Sequence, residues 1–142
     1  MSQPLLPEDR AEALKWLVVS RAFSFKYAFE GVWHLLRTQP NAWIHAAVTI
    51  LVIPLGVFLR LGPLQWALLV LAAGMVWSAE LLNTAIEAVI DLVSPDTHRL
   101  AKIGKDTAAA GVLATAFTAV LVGLLVLGPP LFARLIDLLV PV

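Results

Sequence analysis

Three stretches of this chain are apolar almost without interruption, and short polar or turn-forming segments separate them. The first, Trp43 to Leu59, is about the minimum that crosses a bilayer at roughly 1.5 Å of helix rise per residue, with His45 and Pro54 as its only irregularities. Arg60, Leu61, Gly62 and Pro63 form a turn signal, and Leu64 to Val93 then reads as one helix of about 45 Å, long enough to cross the hydrocarbon and project from it. A polar connector over 94–106, SPDTHRLAKIGKD, leads to a third apolar run from Thr107 to Leu127, which Gly128, Pro129 and Pro130 are expected to end. The tail, 128–142, is apolar but too short to span and is expected at the far interface.

Ahead of the first span, 8–38 interleaves Arg10, Lys15, Arg21, Lys26 and Arg37 with Trp16, Phe23, Phe25, Tyr27, Phe29 and Trp33. That mixture cannot span. As a helix broken near Ser20 it suits the headgroup layer, aromatics inserted and cations on anionic lipid, the alternative being a soluble amphipathic cap. The fold expected is therefore all-α and integral to the membrane. It has three transmembrane helices (43–59, 64–93, 107–127), an N-terminal amphipathic surface helix and the tail, in a single unit.

Composition agrees, with 60% of the 142 residues hydrophobic and 14% charged, and a mean hydropathy of +0.86 that excludes an ordinary soluble domain. Ten basic residues balance ten acidic ones, so no global field attracts nucleic acid, and none is expected as a partner. The chain has no cysteine, hence no disulfide framework or thiolate chemistry, and MSQPLLPEDR does not resemble a cleaved signal peptide. Charge also orients the spans. Five cations before the first span and Arg99, Lys102 and Lys105 in the connector oppose Arg60 and Arg134 on the other side, which predicts both clusters in the cytoplasm and the C-terminus outside.

The chemistry must lie where charge enters the apolar runs. A carboxylate at membrane depth costs about 2.5 to 3.5 kcal/mol, yet the second span carries Glu80, Glu87 and Asp91 with Asn83. Taking about 100° per residue from Glu80 places Asn83 at about 300°, Glu87 at about 340° and Asp91 at about 20°, one narrow stripe that must face protein or water. Glu80 and Glu87, about 10 Å apart along the axis, are too distant to share a proton and need separate roles. The ordinary alternative for Asp91 and Glu87 is a solvated interfacial position, which suits Glu80 poorly. Acids able to hold Mg²⁺, beside Lys105 at a helix start, suit nucleotide phosphates, although the chain has neither a Walker A loop nor a kinase glycine-rich loop.

The run ELLNTAIEAVID (Glu80 to Asp91) with THRLAKIGKD (Thr97 to Asp106), preceded by SFKYAFEGVW (Ser24 to Trp33) and NAWIH (Asn41 to His45), resembles the signature of the prokaryotic diacylglycerol kinase family, which includes undecaprenol kinases. The resemblance covers about residues 20 to 127. It implies a small integral-membrane kinase, a homotrimer with active sites between subunits at the cytoplasmic face, using ATP and Mg²⁺ to phosphorylate a membrane lipid. It implies Glu80 as the general base, Asn83 as a group orienting the site and Glu87 as a metal ligand. Asp96, Thr97, His98, Lys105 and Asp106 would contact the nucleotide, and Ser24 would help to shape the site. Family members commonly carry a glutamate as second metal ligand where this chain has Gln39, whose amide oxygen can bind Mg²⁺ without adding charge, and a basic residue where it has Pro40. Undecaprenol is favoured over diacylglycerol as acceptor on the SFKYAF and IH features. Two readings from other classes remain open: a small transporter or channel subunit whose acid stripe lines a cation path, and a degenerate, non-catalytic membrane oligomer.

Overall fold

The computed structural model describes residues 10–96 and 98–139. It consists of four α-helices, α1 (Arg10–Thr38), α2 (Pro40–Phe58), α3 (Pro63–Val93) and α4 (Arg99–Leu139). The last three are each long and apolar enough to cross a membrane. Residues 8 and 9 of the expected surface helix and 140–142 of the tail lie outside the described residues.

Two helices differ from the sequence expectation, α1 by having no break and α4 at both ends by more than a turn. α1 runs unbroken through Ser20; a lone serine costs a helix only a few tenths of a kcal/mol, and neither proline nor glycine stands nearby. α4 begins at Arg99, eight residues before Thr107, and passes through Gly128, Pro129 and Pro130 to Leu139. At its start, His98 Nδ1 accepts the Leu100 N–H at 3.2 Å in place of an intrahelical carbonyl. At the proline pair φ is already fixed near its helical value, and continuation costs the two hydrogen bonds that proline nitrogens cannot make and the crowding of each ring against the carbonyl four residues back. The polar connector thus shrinks to 94–98, and residues 128–139 of the expected tail are the last part of a 41-residue helix.

Pro40 occupies the first turn of α2, where its missing N–H is not needed, and Gln39 before it is extended at φ −110° and ψ 107°, as a residue preceding proline must be. α2 ends in a Schellman motif, the Leu61 N–H on Gly56 O and the Arg60 N–H on Val57 O, both 3.1 Å. The C′ residue of that motif is usually glycine; here it is Arg60, at φ 55°. Gln65 Oε1 accepts the Gly62 N–H at 2.8 Å and caps α3.

α3 and α4 share the most extensive interface, and α1 rests on both α2 and α3. The buried apolar set is small, including Leu35, Leu59, Leu69, Val76, Val112 and Val126, while Ile50, Leu51, Leu71 and Leu125 face outward. Hydrocarbon surroundings explain this, because lipid tails solvate leucine as well as a protein core does. Two tryptophans of α3, Trp66 and Trp77, have protein partners. Trp66 packs against Gly56, and the Trp77 indole donates to Thr49 Oγ1 at 3.4 Å.

Candidate active site

Three polar contacts tie α3 to α2 and its N-cap, and they descend α3 as they ascend α2. Gln39 Nε2 donates to Glu87 Oε2 at 2.8 Å, His45 Nε2 lies 3.0 Å from Glu80 Oε1, and Trp77 reaches Thr49. An antiparallel pair of helices produces this register, and the helical stripe read from the sequence supplies two of its three α3 members, Glu80 and Glu87. Glu80 is 2% exposed and Asn83 7%, the two buried polar side chains of the described core. Glu80, Asn83 and Glu87 line one cavity of about 330 Å³ with Gln39, Asn41 and His45. Ala109 and Ala116 on α4 also line it, and their small side chains leave the room.

The two glutamates have different surroundings. Glu87 receives amide hydrogens on both oxygens, from Gln39 and from Asn83 Nδ2 at 3.1 Å, which fixes the plane of its carboxylate. Glu80 is in contact with the His45 imidazole. Asn83 donates to Glu87 and leaves Oδ1 buried without a hydrogen-bond partner, an unsatisfied acceptor in the wall of the cavity.

Asp91, although on the same stripe, belongs to a second cavity of about 480 Å³, lined also by Asp96, His98, Arg99, Lys102, Lys105 and Asp106. Asp91 lies one turn beyond Glu87 on α3, so the two cavities follow each other along that helix. Lys105 Nζ contacts Asp91 Oδ1 at 2.5 Å, and Lys102 pairs with Asp106 one turn along α4. Three of these four partners are mostly exposed, so each pair contributes little stability and its cation can be recruited by an anion.

The structure thus separates the expected site residues into two groups, Glu80, Asn83, Glu87 and Gln39 in the first cavity and Asp96, His98, Lys105 and Asp106 in the second. Ser24 is exposed on α1 and lines neither, and Thr97 lies outside the described residues. Among the described residues no group of three His, Cys, Asp or Glu side chains forms a ready metal cage. Sequence reasoning left out His45 and Asn41 as site residues. Their four-residue spacing, which puts both on one face of α2, was the available signal.

Residues 26–127 match the family described as Prokaryotic diacylglycerol kinase. The chain is 40% identical over 108 residues to a Bacillus subtilis protein named undecaprenol kinase, covering 76% of this chain and 88% of that one. It is 44% identical over 114 residues to a Synechocystis diacylglycerol kinase, covering 80% of this chain but 65% of the longer relative. A Helicobacter pylori diacylglycerol kinase is 30% identical over 103 residues, with 68% and 80% covered.

Proposed function

The chain belongs to the prokaryotic diacylglycerol kinase family and is a membrane lipid kinase, and from that premise we propose that it transfers the γ-phosphate of ATP to the hydroxyl of undecaprenol, with Glu80 as general base. The observation carrying the assignment is the placement of a nearly fully buried Glu80 in a cavity that adjoins a cluster of cationic side chains. Undecaprenol is preferred to diacylglycerol because the match to the undecaprenol kinase runs along more of that relative's length, and because SFKYAF and Ile44-His45 resemble that branch.

Phosphoryl transfer asks the protein chiefly for positioning and charge neutralisation. Glu80 takes the proton of the lipid hydroxyl as that oxygen attacks the γ-phosphorus, and ADP leaves with the electrons of the broken bridging bond. Lys105, His98, Asp96 and Asp106 bind the nucleotide in the second cavity, where phosphate competes with Asp91 for the Lys105 ammonium. The resemblance to the family adds Thr97, which lies outside the described residues, as a nucleotide contact, and Ser24 on α1, which lines neither cavity, as a residue shaping the site from the membrane surface.

Mg²⁺ ordinarily takes one or two protein carboxylates together with phosphate oxygens and water. The donor set fits that habit: Glu87 would supply one carboxylate, and the Gln39 side chain beside it, which here donates its Nε2 to Glu87, carries an amide oxygen as a neutral donor. Mg²⁺ held there would supply neutralisation of the charge developing on the phosphates. Asn83 holds Glu87 in orientation for it. We further assign α1 to the membrane surface, the N-terminus and both cavities to the cytoplasmic side of the inner membrane, and the assembly to a homotrimer in which neighbouring subunits complete each site.

The test is transfer of the γ-phosphate to undecaprenol and to diacylglycerol in mixed micelles with Mg²⁺, wild type beside Glu80→Gln. Product on undecaprenol, lost in the variant, supports the reading, and product on diacylglycerol alone reassigns the acceptor. Absence of product on either lipid from a folded sample overturns the kinase reading and favours a degenerate site, with Gln39 as its first sign.

A further inference from the structure

We infer that His45 is the positioning residue of the phosphoryl transfer, holding one oxygen of Glu80 so that the other is presented to the lipid hydroxyl; this rests on Glu80 being the base. An ionised carboxylate only accepts hydrogen bonds, so the imidazole brings the hydrogen, donated from Nε2 to Oε1 across 3.0 Å. With Oε1 so engaged, Oε2 is the free oxygen. The lipid hydroxyl gives its proton to Oε2, its oxygen forms the new bond to the γ-phosphorus, and the bond from phosphorus to the bridging oxygen breaks with its electrons leaving on ADP. The proton on Oε2 returns to water as the products depart, and the Nε2–H stays on Oε1 throughout.

The architecture around the pair is suited to a fixed bearing. The His45 side chain is 18% exposed and that of Glu80 2%, so little water competes for the bond. One turn further along α2, Thr49 Oγ1 donates to the His45 carbonyl at 2.7 Å and receives the Trp77 indole N–H from α3. Trp77 stands three residues before Glu80, so the backbones that carry the two partners are pinned together within a turn of the contact. From α4 the cavity is lined by Ala109, Val112, Leu113 and Ala116, and Glu87 is the one further titratable side chain among its described lining residues. Glu87 has its own amide partners. His45 is therefore matched to Glu80 alone.

Full-length protein in mixed micelles tests this with His45→Ala, His45→Gln and Glu80→Gln, each assayed for kcat, for KM of ATP and for thermal stability. The expected result is a fall in kcat of about 10- to 100-fold for His45→Ala, with KM for ATP unchanged. His45→Gln, whose amide can also donate to Oε1, recovers to within about tenfold of wild type. A His45→Ala kcat within about twofold of wild type beside an inactive Glu80→Gln overturns the role of His45 and leaves the base assignment standing. A folded His45→Gln no more active than the alanine variant also overturns it, as does a loss confined to stability or to the KM for ATP. An active Glu80→Gln overturns the base assignment itself.

Discussion

The two ends of the α2–α3 hairpin are held by different forces. At the turn, closure is steric and backbone-based: Trp66 lies so close against Gly56 that any side chain there would have no room, and the Schellman and capping bonds satisfy the helix ends. At the other end, Gln39, His45, Asn83, Glu80 and Glu87 meet across a cavity, and Asn83 Oδ1 is left without a partner. An apolar, filled joint tolerates no change of shape but has no chemistry to lose. The polar, unfilled joint has the reverse character, because buried groups with open valences are costly in the resting fold and useful only when something binds.

Substitutions should separate the two ends, from the largest effect downward. Glu80→Gln removes the base from the polar end and lowers kcat by about 10²- to 10⁴-fold, while a thermal melt in detergent stays near wild type; a melt that collapses with the activity would make Glu80 a structural residue. Gly56→Ala acts on the other end. Its added methyl would sit 2.7 Å from the Trp66 ring, so we expect a destabilisation of about 1 to 3 kcal/mol in denaturant titration, with the specific activity of the folded fraction retained. Asn83→Ala frees the Glu87 carboxylate on one side and should weaken Mg²⁺-dependent turnover by about tenfold, read as a rise in the Mg²⁺ concentration for half activity. The smallest effect belongs to Arg60→Gly: relieving a left-handed arginine at the Schellman position should add about 0.5 to 1 kcal/mol of stability. Unchanged stability there would show that the turn carries no strain, and changed turnover in it would blur the division between the ends.

Much of the polar end could be read from the chain. The stripe of Glu80, Asn83 and Glu87 was legible because a single helix fixes the angular relation of its own residues, and all three line one cavity. Asp91 fits the same angle but not the same cavity, since the opening turns of α4 bring Lys105 to it. His45 was visible only as an oddity in an apolar run. Its partner stands 35 positions away, a separation that no local period encodes.

Local rules failed where they presumed water or isolation. Pro129 and Pro130 end a helix in solvent, where freed carbonyls and the chain find other partners; within an apolar run the helix continues through them. The sequence pattern puts Lys102, Lys105 and Asp106 in or at the edge of a polar connector, yet they form the opening turns of α4.

The sequence by itself determined three membrane-length helices and the carboxylates that one of them must shelter, because hydropathy and helical period act on neighbouring residues and need no fold. The tertiary structure alone decided which oxygen of Glu80 meets His45, that Gln39 at the start of α2 joins Asn83 of α3 in clamping Glu87, and that two cavities rather than one follow α3. Those relations depend on the register between helices, which is set by side-chain packing over the whole interface.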